Sequence, residues 1–97
     1  MSVSRVLAEL AIKTSHEEVA SSAIEKAKRM ALDSIGCAIA GCKQPGVGPV
    51  LEQMSDWGGK AEASVLVYGG QLPAPNTAFV NSTMIHAFDF DDWHSAS

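Results

Sequence analysis

Apolar positions along the first half of the chain fall at helical spacing. Val3, Val6, Leu7, Leu10 and Ala11 form one stripe and predict an amphipathic helix over 3–13. Arg5, Glu9 and Lys13 follow one another at i, i+4 on the opposite side, where they can pair. Thr14-Ser15 closes this segment, and Ser15 with Glu18 three residues on is a capping-box pattern. It predicts the start of the longest helix, over 16–41. Ala20, Ala23, Ile24, Ala27, Met30 and Ala31 make the buried stripe of its first half, with Glu25 facing Arg29 at i, i+4 on the wet side. The second half, Ser34 to Gly41, carries no charge and almost only small side chains. A helix apolar all round is buried on all sides, so this segment is expected to be the enclosed, central helix of a helical domain. Such enclosure calls for more neighbours than 97 residues easily supply. Gly41 is the expected C-terminal stop.

After Gly41 the pattern breaks. Residues 44–49 hold two prolines and two glycines and read as a loop. Pro49 suits the first turn of a short helix to Trp57, with Val50, Leu51, Met54 and Trp57 on one face. Gly58-Gly59 ends it. Ala63 to Tyr68 is β-branched and apolar, a short strand or extended segment, and Gly69-Gly70 turns the chain. Pro75 stands near the start of a further helix running to about Phe88. The expected fold class is therefore mainly α, helical-bundle-like, with at most one short extended segment near 63–68.

Composition narrows the function classes. Ninety-seven residues make one small domain, and 46% hydrophobic with 19% charged residues fit a globular chain with a thin core. The formal net charge is -4 and no run of lysine or arginine exists, which argues against nucleic-acid and anionic-membrane binding. No apolar run approaches the ~20 residues needed to cross a bilayer. Arg5, Glu9 and Lys13 interrupt any signal-peptide core, so a cytoplasmic location is expected. Cys37 and Cys42 fit no C-x-x-C pattern and are expected to be buried, reduced thiols.

Candidate chemistry converges at one place, Asn81 to His94, which holds two of the three histidines and three of the eleven acidic residues. On a helix from Pro75 to about Phe90, Ser82, His86 and Asp89 fall at i, i+4 and i+7, on one stripe. A carboxylate three residues from an imidazole can orient or tune it, and an apolar surround from Ile85 and Phe88 would raise a carboxylate's pKa. That is equipment for general acid–base work. Each residue also has a plainer reading. His86 fits as a packing residue, Asp91 and Asp92 as capping or solvated groups, and Asn81 as a helix-packing hydrogen-bonder. Asp89, between Phe88 and Phe90, is the strongest catalytic candidate. His86, Asp89, Asp91, Asp92 and His94 are hard donors of the kind Mn, Mg or Zn accept, but their spacing matches no closed ligand set, and no metal is assigned.

The order of these features resembles the MmgE/PrpD family, whose members include 2-methylcitrate dehydratase, cis-aconitate decarboxylase and an iminodisuccinate epimerase. The matching residues are Leu32-Asp33-Ser34-Ile35-Gly36-Cys37-Ala38-Ile39-Ala40-Gly41, then Ala78-Phe79-Val80-Asn81, then His86-Ala87-Phe88-Asp89-Phe90-Asp91-Asp92. The resemblance implies a large all-α domain with a smaller α+β lid domain inserted. On that basis residues 1–97 form the N-terminal portion of the all-α domain, a single partial domain without the lid and the remainder. It implies a hydro-lyase that acts on a small di- or tricarboxylic acid, removing a proton next to a carboxylate with loss of water. Homodimerisation and action without an iron–sulfur cluster or other cofactor are also implied. Asp89 matches the first aspartate of a motif that lines the substrate pocket, with His86 in support. Asp92, Trp93 and His94 are the further substrate-binding candidates. Trp93 stands where the family often has threonine, which puts that hydroxyl contact, or the register, in doubt. The family's later active-site histidine and lysines lie beyond the matched portion, so the 97 residues alone are expected to be inactive.

Charge supports the same division. A tricarboxylate needs arginine or lysine clamps, yet all seven basic residues lie at or before Lys60 and the candidate site carries three aspartates. The anchoring cations are expected from outside this segment. Three other readings remain: a decarboxylase- or epimerase-type member, a non-catalytic helical piece with only a packing or dimerisation surface, and a metal-binding module.

Overall fold

The structure, a computed structural model, describes residues 2–88. Helix α1 runs from Val3 to Lys13, α2 from Ser21 to Gly41, α3 from Val47 to Trp57 and α4 from Ala74 to His86. Two strands of two residues each, β1 (Ala63–Ser64) and β2 (Gln71–Leu72), pair antiparallel with Ala63 opposite Leu72. The fold is mainly α, as the patterning predicts. The extended segment near 63–68 is shorter than expected and gains a partner strand from 71–72.

Local chemistry explains the helix boundaries. Ser2 caps α1 by accepting the Arg5 N–H at 3.2 Å. Arg5 Nε reaches Glu9 Oε1 at 3.2 Å, the expected i, i+4 pair. The capping box at Ser15 also forms, with the Ser15 N–H and hydroxyl lying 3.2 and 3.0 Å from Glu18 Oε1. It opens only a single 3-10 turn, His16–Glu18, and not the long helix. Val19 and Ala20 are extended, and α2 begins at Ser21. A β-branched residue right after the turn loses rotamer freedom in a helix and gives little reason to continue it. On α2 the expected Glu25–Arg29 pair gives way to Glu25–Lys28 at 3.5 Å, exposed and of small energetic weight.

The core lies where α2, α3, the hairpin and α4 meet. Ala38, Cys42, Val47, Met54, Val65, Leu72, Val80 and Met84 form one buried cluster, flanked by Val50, Leu51, Leu66 and Ile85. Helix α4, and not the second half of α2, is the centre of this packing, since it meets α2, α3 and both strands. The expectation for α2 is met on one side only. Cys37, Ala38 and Gly41 are buried, while Leu32 and Ile39 are 71% and 61% exposed. The small residues fit α2 against a single neighbour, and its other face is bare. Trp57 likewise stays outside the core. Cys37 and Cys42 are both buried, and no disulfide joins them.

Polar side chains of α4 and the α2–α3 corner hold the hairpin. Asn81 Oδ1 accepts the Leu66 N–H at 2.9 Å, and Asn81 Nδ2 donates to the Ser64 carbonyl at 3.2 Å. This is the helix-packing role read from the sequence. The buried Thr77 hydroxyl lies 3.1–3.2 Å from the carbonyl oxygens of Ala63, Leu72 and Pro73, and its one proton can serve one of them at a time. Tyr68 donates its phenol to the Cys42 carbonyl. Between these anchors Val67 takes φ 63°, a conformation costly for a β-branched residue, and the flanking hydrogen bonds hold it there.

Candidate active site

Helix α4 supplies the described part of the site. Pro73 and Pro75 fit its first turn, where a missing N–H leaves no intrahelical bond unmade. From there Thr77, Val80 and Met84 point into the core. Ser82 and His86, one turn apart, fall on the other side and line a single open groove of about 860 Å³. Its walls are largely apolar: Pro45 and Val47 from the α2–α3 corner, and Pro75, Ala78 and Phe79 from α4. No lysine or arginine lines it among the described residues.

Two of the three residues of the predicted stripe therefore fall among the described residues. Ser82 and His86 share the groove as their spacing predicts, and both are exposed. Helix α4 ends at His86, with Ala87 as its cap, short of the Phe88 to Phe90 limit predicted from the sequence. Its last N–H, that of Ala87, reaches the Met84 carbonyl at 3.3 Å. Asp89, Asp91, Asp92, Trp93 and His94 lie outside the described residues, so the geometry bears on His86 alone among the catalytic and substrate-binding candidates. Most of the hard-donor set also lies there, and among the described residues no group of His, Cys, Asp and Glu could hold a metal. No helix among the described residues is long and apolar enough to cross a membrane.

Chemically, the groove offers an imidazole at one end of an apolar wall and a hydroxyl one turn away. With no cation on that wall, a polycarboxylate would be held by groups from elsewhere. The residue overlooked at sequence level is Gly41. It ends α2 as read from the sequence, with Cys42 as a right-handed cap, and it is also buried against α4. Its place in an uncharged run of small residues was the available signal.

Comparison with known proteins fits this geometry into a larger one. Cis-aconitate decarboxylase of Aspergillus terreus is 30% identical over 79 residues, which is 81% of this chain and 16% of the relative. Cis-aconitate decarboxylase of Mus musculus is 35% identical over 78 residues, 76% of this chain and again 16% of the relative. A cis-aconitate decarboxylase-like protein of Aspergillus oryzae is 26% identical over 80 residues, 82% of this chain and 17% of the relative. The chain thus spans about a sixth of the length of the curated relatives it matches. No solved structure matches it. Residues 5–97 match the MmgE/PrpD N-terminal domain, nearly the whole chain, and the protein belongs to the MmgE/PrpD family.

Proposed function

We propose that this chain is the N-terminal portion of the all-α domain of a lyase acting on a small di- or tricarboxylic acid, and that it supplies one wall of the active site. The family match over residues 5–97 carries this reading. Asp89 is the principal catalytic group, positioning the substrate hydroxyl or a proton-shuttling group. His86, at the end of the groove, supports it. Asp92, Trp93 and His94 contact the substrate. Lysine or arginine clamps and a further base come from outside these 97 residues, since none of the seven basic residues follows Lys60. The complete enzyme works as a cytoplasmic homodimer.

Two reactions share the underlying chemistry of charge developing next to a carboxylate. In the dehydratase reading a base takes the proton α to a carboxylate and the β-hydroxyl leaves as water, giving the alkene. In the decarboxylase reading a C–CO2 bond breaks, CO2 leaves, and the carbon is protonated. The motif resemblance favours the first, and the names of the relatives favour the second. The full-length enzyme carrying this segment decides between them when given 2-methylcitrate and cis-aconitate in turn. Alkene formation from the first acid or CO2 release from the second is the expected result. Turnover of neither would overturn the reading.

A second reading rests on the bare apolar faces of α1 and α2, where Val3, Leu7, Leu32 and Ile39 are all exposed. In it the chain is a non-catalytic helical piece with a packing or dimerisation role. Size-exclusion chromatography with circular dichroism tests it, and a sharply melting monomer of residues 1–97 would contradict it.

A further inference from the structure

Helices α2 and α4 meet at their C-terminal ends, and the contact there is made by backbone. A Cβ placed on Gly41 would overlap the carbonyl oxygen of Met84 and lie 3.1 Å from the Cβ of Ala87. That oxygen is not a spare group. It accepts the Ala87 N–H at 3.3 Å, the hydrogen bond that closes α4. Nor can it swing aside cheaply, because the Met84 side chain is fully buried in the core. Gly36, five residues earlier on α2, has nothing within 4 Å of the same virtual atom, so the need for glycine is local to position 41.

We propose that Gly41 is a positioning residue for the candidate site: its missing side chain lets the last turn of α2 seat on the carbonyl that closes α4. That seating fixes the final turn of α4, which carries His86 into the groove. His86 is the last residue of that turn. The proposal rests on the reading of this groove as one wall of the active site. A side chain at 41 displaces the Met84 carbonyl, opens the final turn and carries His86 out of register with the rest of the site. Misplacements of about 1 Å are enough to cost about 100-fold in rate.

Four variants of the full-length enzyme test it, with kcat, KM and Tm measured for each. Gly41→Ala is expected to lose about 100-fold in kcat/KM, chiefly in kcat. Val80→Ala, which opens a cavity in the same core on α4, is expected to lower Tm while leaving kcat/KM of the folded protein near wild type. Gly36→Ala is expected to change neither. Asp89→Asn separates the proposal from the reading beneath it. Should Asp89→Asn be impaired while Gly41→Ala keeps wild-type kcat/KM, or Val80→Ala lose as much as Gly41→Ala, the positioning role falls and the reading stands. Wild-type activity in Asp89→Asn removes both. If Gly41→Ala does not accumulate as folded protein, Ala87→Val presses on the same contact from the α4 side, and unchanged kcat in that variant overturns the proposal.

Discussion

Helices α1 and α4 are nearly equal in length, 11 and 13 residues, and opposite in what their sequences promise. α1 carries the cleaner amphipathic stripe, yet none of its residues is buried. α4 spreads its apolar residues around the helix, yet buries Thr77, Val80 and Met84 and meets α2, α3 and both strands. An apolar stripe states that a helix has a face to cover. It does not state that the cover lies within reach. α4 is central because the hairpin, α2 and α3 all lie within reach of the one stripe that Thr77, Val80 and Met84 form. The bare stripe of α1 and the bare outer face of α2 fit a chain that spans about a sixth of its relatives' length.

The sharpest way to break this contrast is to truncate one apolar residue in each helix and compare stability by denaturant unfolding of the 97-residue chain. Met84→Ala, at a fully buried position, is expected to cost about 2–5 kcal/mol. Leu10→Ala, at a position 62% exposed, is expected to stay within about 0.5 kcal/mol. Equal losses would mean that α1 is packed and that the contrast is false. A smaller effect is expected at the hairpin. Asn81→Ala removes both side-chain bonds to residues 64 and 66 and leaves the Leu66 N–H without its acceptor, for about 1–3 kcal/mol. Hydrogen exchange at the Leu66 amide should rise markedly, and unchanged protection there would remove Asn81 as the latch. Smallest of all is Arg5→Gln on α1, which breaks the exposed pair with Glu9 for about 0.2–0.5 kcal/mol of helix stability. A larger loss, read by helical circular dichroism, would again point to a packed α1.

Much of the architecture is legible in the residues themselves, because it rests on local rules. The limits of α1, the glycines after α3 and the prolines that open α4 all follow from caps and backbone preferences. The misreadings share a different cause. The Ser15–Glu18 box is a sound start signal, but Val19 does not extend the turn, so it caps three residues instead of a long helix. The all-apolar half of α2 reads as the enclosed centre, while among the described residues it is covered on one side only. The partner strand at 71–72 is a two-residue pairing across the Gly69-Gly70 turn, and the close approach at Gly41 is made by α4, distant in the chain. At the candidate site, helical spacing correctly brings Ser82 and His86 to one groove. The aspartates beyond lie outside the described residues.

The central claim is that these residues form one wall of a lyase active site whose main catalytic group here is Asp89. Steady-state kinetics of Asp89→Asn in the full-length enzyme test it most directly. The account predicts a fall in kcat/KM of at least ~100-fold with the folded state retained, the scale usual for an acid–base group. Wild-type kcat/KM in that variant would contradict it.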